Sequence, residues 1–312
     1  LGLVIVDEQH RFGVEQRAAL MKNHDGPIPH FLSMSATPIP RTLALTIYGD
    51  LDLSILDEMP KLRKTIVTKI VEPEEREKIY QFIRQEVERG HQVFVICPRI
   101  ETGEQTNTKN QQRKMLFAEV RAVETEFEKL SKEIFSDLRV AKLHGRMKSK
   151  EKDAVMKRFR NREYDVLVST SVVEVGVDIP NATIMMIEGS ERFGLAQLHQ
   201  FRGRVGRGAE QSHCFLFTTE NGTATRRLRA VVEAKNGFEL AEKDLEIRGP
   251  GDLFGNRQWG VATSVLKAIT NAELVRAVRQ EAVYLLKQDP TLRTLPHLRA
   301  RLEDLEKTIH LE

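Results

Sequence analysis

The stretch DVLVSTSVVEVGVDIPNATIMMI, residues 165–187, contains two short apolar runs, Asp165–Ser169 and Thr183–Ile187, which predict two buried strands. Further strands are expected at Gln92–Cys97, Val140–Leu143 and His213–Thr218. Helices are expected at Glu74–Arg89, about 111–135, Lys150–Phe159 and Leu195–Phe201. Because strands and helices alternate along this part of the chain, the sequence predicts an α/β fold with a parallel sheet covered on both faces.

The residues before and after this region predict two further parts. Strand Leu3–Val6, helix Glu15–Lys22, strand His30–Met34 and helix Pro40–Ile47 indicate the tail of another α/β domain whose front is absent. From Thr223 onward the pattern changes to helices and glycine-rich turns. We therefore expect a partial first domain at residues 1–60, a complete second domain at 61–220, and a mainly helical appendage at 221–312.

The composition is that of an ordinary soluble globular chain, with 312 residues, a formal charge of +3 and 40% hydrophobic residues. Cys97 and Cys214 sit singly in apolar runs, which predicts small core residues, neither zinc nor disulfides, and a reducing cytoplasm. No apolar run approaches the roughly 18 residues that a bilayer requires, and no signal peptide is visible. A membrane protein is therefore not expected.

Positive charge is concentrated between Arg139 and Arg162, where ten Lys and Arg residues stand against Glu151 and Asp153. Such a stretch can bind a phosphate backbone. Without a motif beside it, a solvated helix face is the more common explanation. Both interpretations stay open at this point.

Two adjacent carboxylates, Asp7 and Glu8, end the first strand. One can orient magnesium through its water shell while the other polarises an attacking water. Direct coordination of a transition metal together with His10 is the alternative, and it lacks the helical H-x-x-x-H spacing. The glycine-rich loop G-x-x-x-x-G-K-[ST] that should hold the phosphates is not found. Glycines five apart occur without a following lysine at Gly189/Gly194, Gly203/Gly208 and Gly255/Gly260.

Two further motifs contain side chains that are suited to catalysis or to phosphate binding. Ser35-Ala36-Thr37-Pro38 lies between a strand and a helix, where its hydroxyls either link the carboxylates to the opposite side of a cleft or cap the helix. The stretch QLHQFRGRVGRG, Gln197–Gly208, contains three arginines spaced by glycines on a predicted turn. Planar guanidinium groups bind phosphate oxygens bidentately, so this turn is a candidate polyphosphate site.

Taken in order, DEQH (Asp7–His10), SATPIPRT (Ser35–Thr42), STSVVEVGVDIP (Ser169–Pro180) and QLHQFRGRVGRG resemble motifs II, III, V and VI of superfamily 2 helicases. The flanking stretches narrow the resemblance to the RecG family of ATP-dependent branched-DNA translocases. They are Arg11–Val14, Tyr48–Asp52, His144–Met147 and Glu191–Gly194. Arg248–Asp252 and Gly255–Gly260 resemble that family's translocation element, and the similarity runs from residue 1 to about 265.

The resemblance implies RecA-like domains and a role for each matching residue. Asp7 would hold magnesium, Glu8 would act as general base, and Ser35 and Thr37 would couple hydrolysis to movement. The ATP-facing residues would be Gly176, Asp178, Gln200, Arg204 and Arg207, with Arg207 as the arginine finger. The DNA-facing residues would be Arg99, His144, Thr170 and Ser171, and those of the translocation element Arg226, Arg227, Arg248 and Gln258.

The implied whole protein is a monomeric helicase of the bacterial cytoplasm that uses ATP and Mg²⁺. It would reverse stalled replication forks and migrate Holliday junctions, with single-stranded DNA-binding protein as a candidate partner. Because the phosphate loop and the fork-splitting wedge domain are missing, we expect the 312-residue chain to be inactive alone. A DNA-binding module without ATPase activity is one alternative. A relative of transcription-repair coupling factor is another, although that family usually has DEEQRFG where this chain has DEQHRFG.

Overall fold

The computed structural model describes residues 2–8, 12–13, 16, 19–20, 29–36, 54–56, 58, 64–98, 120–170, 179–221, 226–248 and 272–309. The described residues within Leu1–Pro38 and Asp57–Ile247 form one compact unit, and those within Ile39–Leu56 and Arg248–Glu312 form a second. The predicted helix Pro40–Ile47 lies outside the described residues, and so does most of Glu15–Lys22. The predicted domain limits at 60 and 220 stay predictions.

A small parallel sheet consists of β1 (Leu3–Val6) and β2 (His30–Ser33). Val6 lies opposite Ser33, and the amide of Met34 continues the pairing by donating to the Val6 carbonyl at 2.8 Å. Val4 and Val6 are buried while Ile5 is exposed, so the predicted strand Leu3–Val6 is buried on one face only. This alternation follows from the two-residue period of a strand.

The large sheet has six parallel strands in the order β3-β8-β7-β4-β6-β5. Its members are β3 (Val67–Val71), β4 (Gln92–Ile96), β5 (Val140–Leu143), β6 (Val166–Ser169), β7 (Ala182–Ile187) and β8 (His213–Phe217). Every pairing among them is parallel. The predicted parallel sheet is confirmed, and predicted strand limits differ from the observed ones by one residue at some ends.

Helices connect these strands and continue after β8, and the described limits of the helices predicted individually are close to the predicted ones. They are α1 (Arg76–Glu88), α2 (residues 120–129, continuing as the π-helical turn Leu130–Ile134), α3 (Ser149–Arg160), α4 (Leu195–Arg202), α5 (Arg226–Glu233) and α6 (Gly237–Arg248). The second unit contains α7 (Ala272–Gln288) and α8 (Pro296–Ile309), which agrees with a mainly helical appendage. Gly90, after α1, has a φ of 91° in the left-handed region that glycine favours.

Two apolar layers cover the two faces of the large sheet. One contains Phe159 of α3, Leu195 and Phe201 of α4 and Val231 of α5. The other contains Ile79 and Ile83 of α1 together with Val123, Leu130 and Phe135 from α2 and the residue after it. Because both faces are covered, β4, β6 and β7 are buried along their whole length and are mainly apolar rather than alternating.

Both cysteines are buried free thiols in this core. Burial raises the pKa of Cys97 well above its usual range and that of Cys214 to about 12, so the thiols stay protonated. Among the helices of the described residues, none has the length and apolar character to cross a bilayer.

An ion pair fastens α1 to the strand ends of the sheet. The Arg76 guanidinium binds both carboxylate oxygens of Glu188, which follows β7, at 3.0 and 2.5 Å. It also donates to the carbonyl of Thr218, which follows β8, at 2.7 Å. The two charged side chains are only 17% and 13% exposed, and the carboxylate raises the pKa of Arg76 despite its burial. Three chain segments are therefore joined at one point.

Replacing Glu188 with Gln removes the carboxylate and leaves the shielded Arg76 guanidinium without it. We expect the free energy of unfolding to fall by about 3 kcal/mol, because breaking one side of a buried ion pair costs roughly 3–5 kcal/mol. Urea unfolding followed by circular dichroism measures the loss. Lys69→Met is the control, since the Lys69–Glu75 pair is 42% and 43% exposed and such pairs contribute about 0–1 kcal/mol. Equal losses in the two variants contradict this account.

Candidate functional site

The parallel sheet has two edges with different residues. At its carboxyl edge lie the residues that directly follow strands, among them Cys97, His144, Thr170 and Glu188. At its amino edge lie the residues that directly precede strands, which include Ile66, Asn181 and Ser212. Ligands of open α/β sheets usually bind beyond strand ends rather than on the covered faces. The edge at which a candidate residue lies therefore indicates which ligand it can reach.

The glycine-arginine turn after α4 packs against the amino edge. Gly206 has a φ of 75°, and a Cβ atom there would lie 2.8 Å from Cγ1 of Ile66. A Cβ atom on Gly208 would lie 2.9 Å from the carbonyl oxygen of Pro180. Both glycines are thus needed for close approach, the first also for its backbone conformation. The second brings the end of the motif Ser169–Pro180 against the turn.

The predicted phosphate-binding side chains are grouped on this turn and on the helix before it. Gln200 on α4 is half-buried, Arg204 is half-buried and Arg207 is exposed. The Nε atom of Arg207 donates to the Gly203 carbonyl at 3.5 Å. Gly176 and Asp178 lie outside the described residues. The arrangement supplies positive charge at the amino edge.

Arg202 is the exception among the three arginines, because it points inward. Its side chain is buried and donates to the carbonyls of Val231 at 2.8 Å and Ala234 at 3.4 Å. The expectation that all three arginines face a polyphosphate is therefore wrong for this one. The sequence contained the indication, since Arg202 follows Leu195 and Leu198 by seven and four positions and so shares their buried face.

The inward arginine links α4 to α5 and also orients His199. Nη2 of Arg202 lies 3.1 Å from Nδ1 of His199, and burial together with the neighbouring guanidinium lowers the pKa of the imidazole to about 4. The ring is therefore neutral near pH 7, and Nδ1 can accept the hydrogen bond. A second link comes from Arg227 of α5, which donates to the Phe193 carbonyl at 2.6 Å. Sequence reasoning missed the role of Arg202.

The two carboxylates lie in the small sheet, directly after β1. Asp7 is exposed, and its Oδ1 accepts a hydrogen bond from the Glu8 amide at 2.8 Å. Glu8 has a φ of 49°, a left-handed conformation that is uncommon for residues other than glycine and that clusters at functional sites. Ser35 follows the register partner of Val6 by two residues, so it lies at the same strand ends as the carboxylates. Thr37 lies outside the described residues.

The carboxyl edge of the large sheet carries the predicted DNA residues that the structure describes. His144, after β5, is largely shielded, and burial lowers its pKa. Thr170, after β6, is fully buried, so a contact of its hydroxyl with DNA requires exposure. Arg99 and Ser171 lie outside the described residues. Glu124 of α2 approaches His144, a contact that the sequence did not reveal.

The residues predicted for the translocation element begin at α5. Arg226 is exposed, whereas Arg227 is half-buried and holds the Phe193 carbonyl. Arg248 is the last residue of α6, and Gln258 lies outside the described residues.

Known families match both the sheet domain and the helices after it. The helicase conserved C-terminal domain matches residues 74–209, which run from α1 to the glycine-arginine turn and include strands β4 to β7 of the large sheet. A second family, described as the C-terminal part of domain 3 of the ATP-dependent DNA helicase RecG, matches residues 234–309. The parallel sheet and the first family match therefore define a RecA-like helicase domain.

Individual relatives show to which family of helicases the chain belongs. The chain is 45% identical to the ATP-dependent DNA helicase RecG of Synechocystis sp. over 97% of its own length and 35% of the relative's. It is 44% identical to the RecG of Streptococcus pneumoniae over 100% of its length and 45% of that protein. A solved structure of RecG bound to a three-way DNA junction is 45% identical, has a TM-score of 0.63, and matches 81% of this chain and 31% of that one. The chain belongs to the RecG family and spans less than half the length of these relatives.

Replacing Gly206 with Ala tests the packing of the glycine-arginine turn. We expect a loss of about 2–5 kcal/mol in the free energy of unfolding, because a left-handed conformation costs roughly 1–2 kcal/mol and an overpacked contact roughly 1–3 kcal/mol. Thermal and urea unfolding measure it. Gly203→Ala is the matched control, since its Cβ would meet only two carbonyl oxygens at an ordinary 3.5 Å. A Gly206→Ala chain as stable as the control would show that the turn is not packed as described.

Proposed function

We propose that this chain is the carboxyl-terminal part of an ATP-dependent DNA helicase that acts on branched DNA. The intact protein would reverse stalled replication forks and migrate Holliday junctions in repair and recombination. The observation that carries this proposal is the 45% identity, over 81% of the chain, with a RecG that was solved on a three-way DNA junction. The family membership and the positively charged turn at the amino edge support it.

The carboxylates suit a magnesium nucleotide. Hard oxygen ligands are those Mg²⁺ prefers, and Asp7 is an exposed carboxylate at the end of a parallel strand. We infer that Asp7 holds the ion through water and that Glu8 orients and deprotonates the attacking water. When bound, the ion neutralises charge on the phosphates. Ser35, at the same strand ends, and Thr37 would couple this site to movement.

The turn at the amino edge suits the phosphates. Gln200, Arg204 and Arg207 would contact them, with Arg207, the exposed arginine, as the finger that stabilises charge in the transition state. Gly176 and Asp178 would approach the nucleotide from the preceding motif. Arginine is suited to this task because its guanidinium stays charged and bridges two oxygens.

Movement would pass from this turn to the helices that follow. Arg202 hydrogen-bonds α4 to the end of α5, and Arg227 bonds α5 to the turn before α4. A displacement of the phosphate arginines would therefore be transmitted to α5 and α6. Arg226, Arg227, Arg248 and Gln258 would use it to move duplex DNA.

The carboxyl edge suits a nucleic-acid backbone. Arg99, His144, Thr170 and Ser171 would line the DNA track there. Of the ten basic residues between Arg139 and Arg162, several are exposed and have no ion pair within the part of the chain that the structure describes. These are Lys148, Lys150, Lys157, Arg160 and Arg162. Their exposure favours phosphate binding over a balanced solvated face.

We further infer a monomer in the bacterial cytoplasm, at the nucleoid, with single-stranded DNA-binding protein as a candidate partner. Taken alone, the 312 residues contain no G-x-x-x-x-G-K-[ST] loop, so a DNA-binding module without hydrolysis is the activity we infer for them.

We expect the 312-residue chain to bind a fluorescent three-way DNA junction and to hydrolyse no ATP. Affinity should fall steeply between 50 and 200 mM salt, because each phosphate contact adds a slope of about −0.9 to the plot of log affinity against log salt. Fluorescence anisotropy and phosphate release, with Glu8→Gln as control, measure both. A flat salt response contradicts DNA binding. Junction-stimulated turnover that Glu8→Gln abolishes contradicts inactivity and means that a phosphate loop is supplied in an unrecognised way.

A further inference from the structure

A carboxylate occupies the edge where DNA phosphates are proposed to bind. Glu124 of α2 accepts a hydrogen bond from Nζ of Lys142 on β5. Its other oxygen, Oε1, lies 3.8 Å from Nε2 of His144. The side chains of Glu124 and Lys142 are 38% and 35% exposed, so solvent and ligands can reach the pair. An acid in this position is unexpected, because like charges placed opposite a phosphate weaken binding.

Lys142 is held against α2 by two contacts. Besides Glu124, its Nζ lies 5.0 Å from the ring centroid of Phe127, one turn further along the same helix. Lys142 and His144 are two residues apart, so strand geometry places them on one side of β5. Lys142 therefore lies beside His144, a predicted DNA residue, while its ammonium group is directed toward Glu124.

The neighbouring histidine does not balance the carboxylate. Burial lowers the pKa of His144, and Lys142, Lys152 and Arg146 lower it further, whereas Glu124 raises it only in part. The ring is thus neutral near pH 7, and Lys142 is the cation that matches Glu124. Exchange of Glu124 for a phosphate would turn this lysine into a DNA contact.

We propose that Glu124 is a specificity-determining residue of the DNA-binding edge: it holds Lys142 and releases it only to a nucleic-acid backbone that docks closely. DNA that docks closely gains one phosphate contact, with Lys142. DNA that is held loosely faces the Glu124 carboxylate and gains no contact with this lysine. This inference rests on the proposed function, since it concerns the same edge. A purely structural role, in which the pair only fastens α2 to β5, predicts lower stability without any change in DNA binding.

The test measures binding of a fluorescent 20-base-pair duplex and of a three-way junction to the full 312-residue chain. We expect Glu124→Gln to bind the linear duplex about three- to tenfold more tightly at 50 mM salt, with a salt slope steeper by about one. In a Lys142→Gln background the same substitution should have no effect. Glu128→Gln is the matched control, because Glu128 lies one turn away on α2, is 62% exposed and pairs only with Lys132 among the described residues. It should behave as the parent chain.

Three results overturn the inference. They are an unchanged duplex affinity and slope in Glu124→Gln, an equal gain in Glu128→Gln, and an equal gain when Lys142 is already replaced. Urea midpoints identify a variant that has lost its fold. If Glu124→Gln does not fold, the inference is tested by Lys142→Gln alone. This variant should bind the junction more weakly than the parent chain and reduce the salt slope of binding by about one. If neither parent nor Glu124→Gln binds DNA at 50 mM salt, the proposed function fails as well. If the parent chain binds DNA and Glu124→Gln binds it with the same affinity, this inference is contradicted while the proposed function is not.

Discussion

Parallel pairing of the six strands is the constraint on which the rest of the sheet domain depends. Because every strand points the same way, each connection must return from the carboxyl edge to the amino edge. Residues just after a strand and residues just before one are therefore separated by the length of the sheet. This places His144 and Thr170 on one edge and the turn of Arg204 and Arg207 near the other. Two binding tasks can be divided between the edges of one rigid element.

The edges are joined to the surrounding helices by buried polar contacts. At the carboxyl edge Arg76 connects α1 to the ends of β7 and β8 through Glu188 and Thr218. On the α4 side Arg202 satisfies two carbonyls at the end of α5. A buried guanidinium is costly unless it is fully hydrogen-bonded, so each of these arginines favours one arrangement of its neighbours. Such contacts are suited to transmitting a displacement rather than absorbing it.

Local sequence patterns were sufficient for most of the strands and helices but not for the contacts between them. Mainly apolar runs of about four to six residues located β4, β6, β7 and β8, because strands buried on both faces have that composition. The strand order, with β3 beside β8, joins segments about 140 residues apart and has no local signature. The Arg76–Glu188 pair spans 112 residues and was missed for the same reason.

The candidate site residues divide in a similar way. Motifs indicated Asp7, Ser35, Gln200, Arg204 and Arg207 as candidates, and the structure explains the glycine spacing by close approach at Gly206 and Gly208. The position of Arg202 on the buried face of α4 could be predicted from its helical spacing to Leu195 and Leu198. The arginine-rich motif suggested a phosphate-binding role instead. Glu124 was not among the residues predicted for the site. Its position beside Lys142 and His144 depends on how α2 packs against β5, which no local pattern contains.

The division of the sheet into two edges is tested most directly by removing the same charge from each. Arg146, in the turn after β5, and Arg207, in the turn after α4, are both exposed arginines. Junction binding by Arg146→Gln and Arg207→Gln chains is compared over a range of salt concentrations. The account predicts that Arg146→Gln weakens binding and reduces the salt slope by about one, while Arg207→Gln keeps the parental slope. Equal reductions in the two variants would show that DNA and nucleotide residues are not separated by edge.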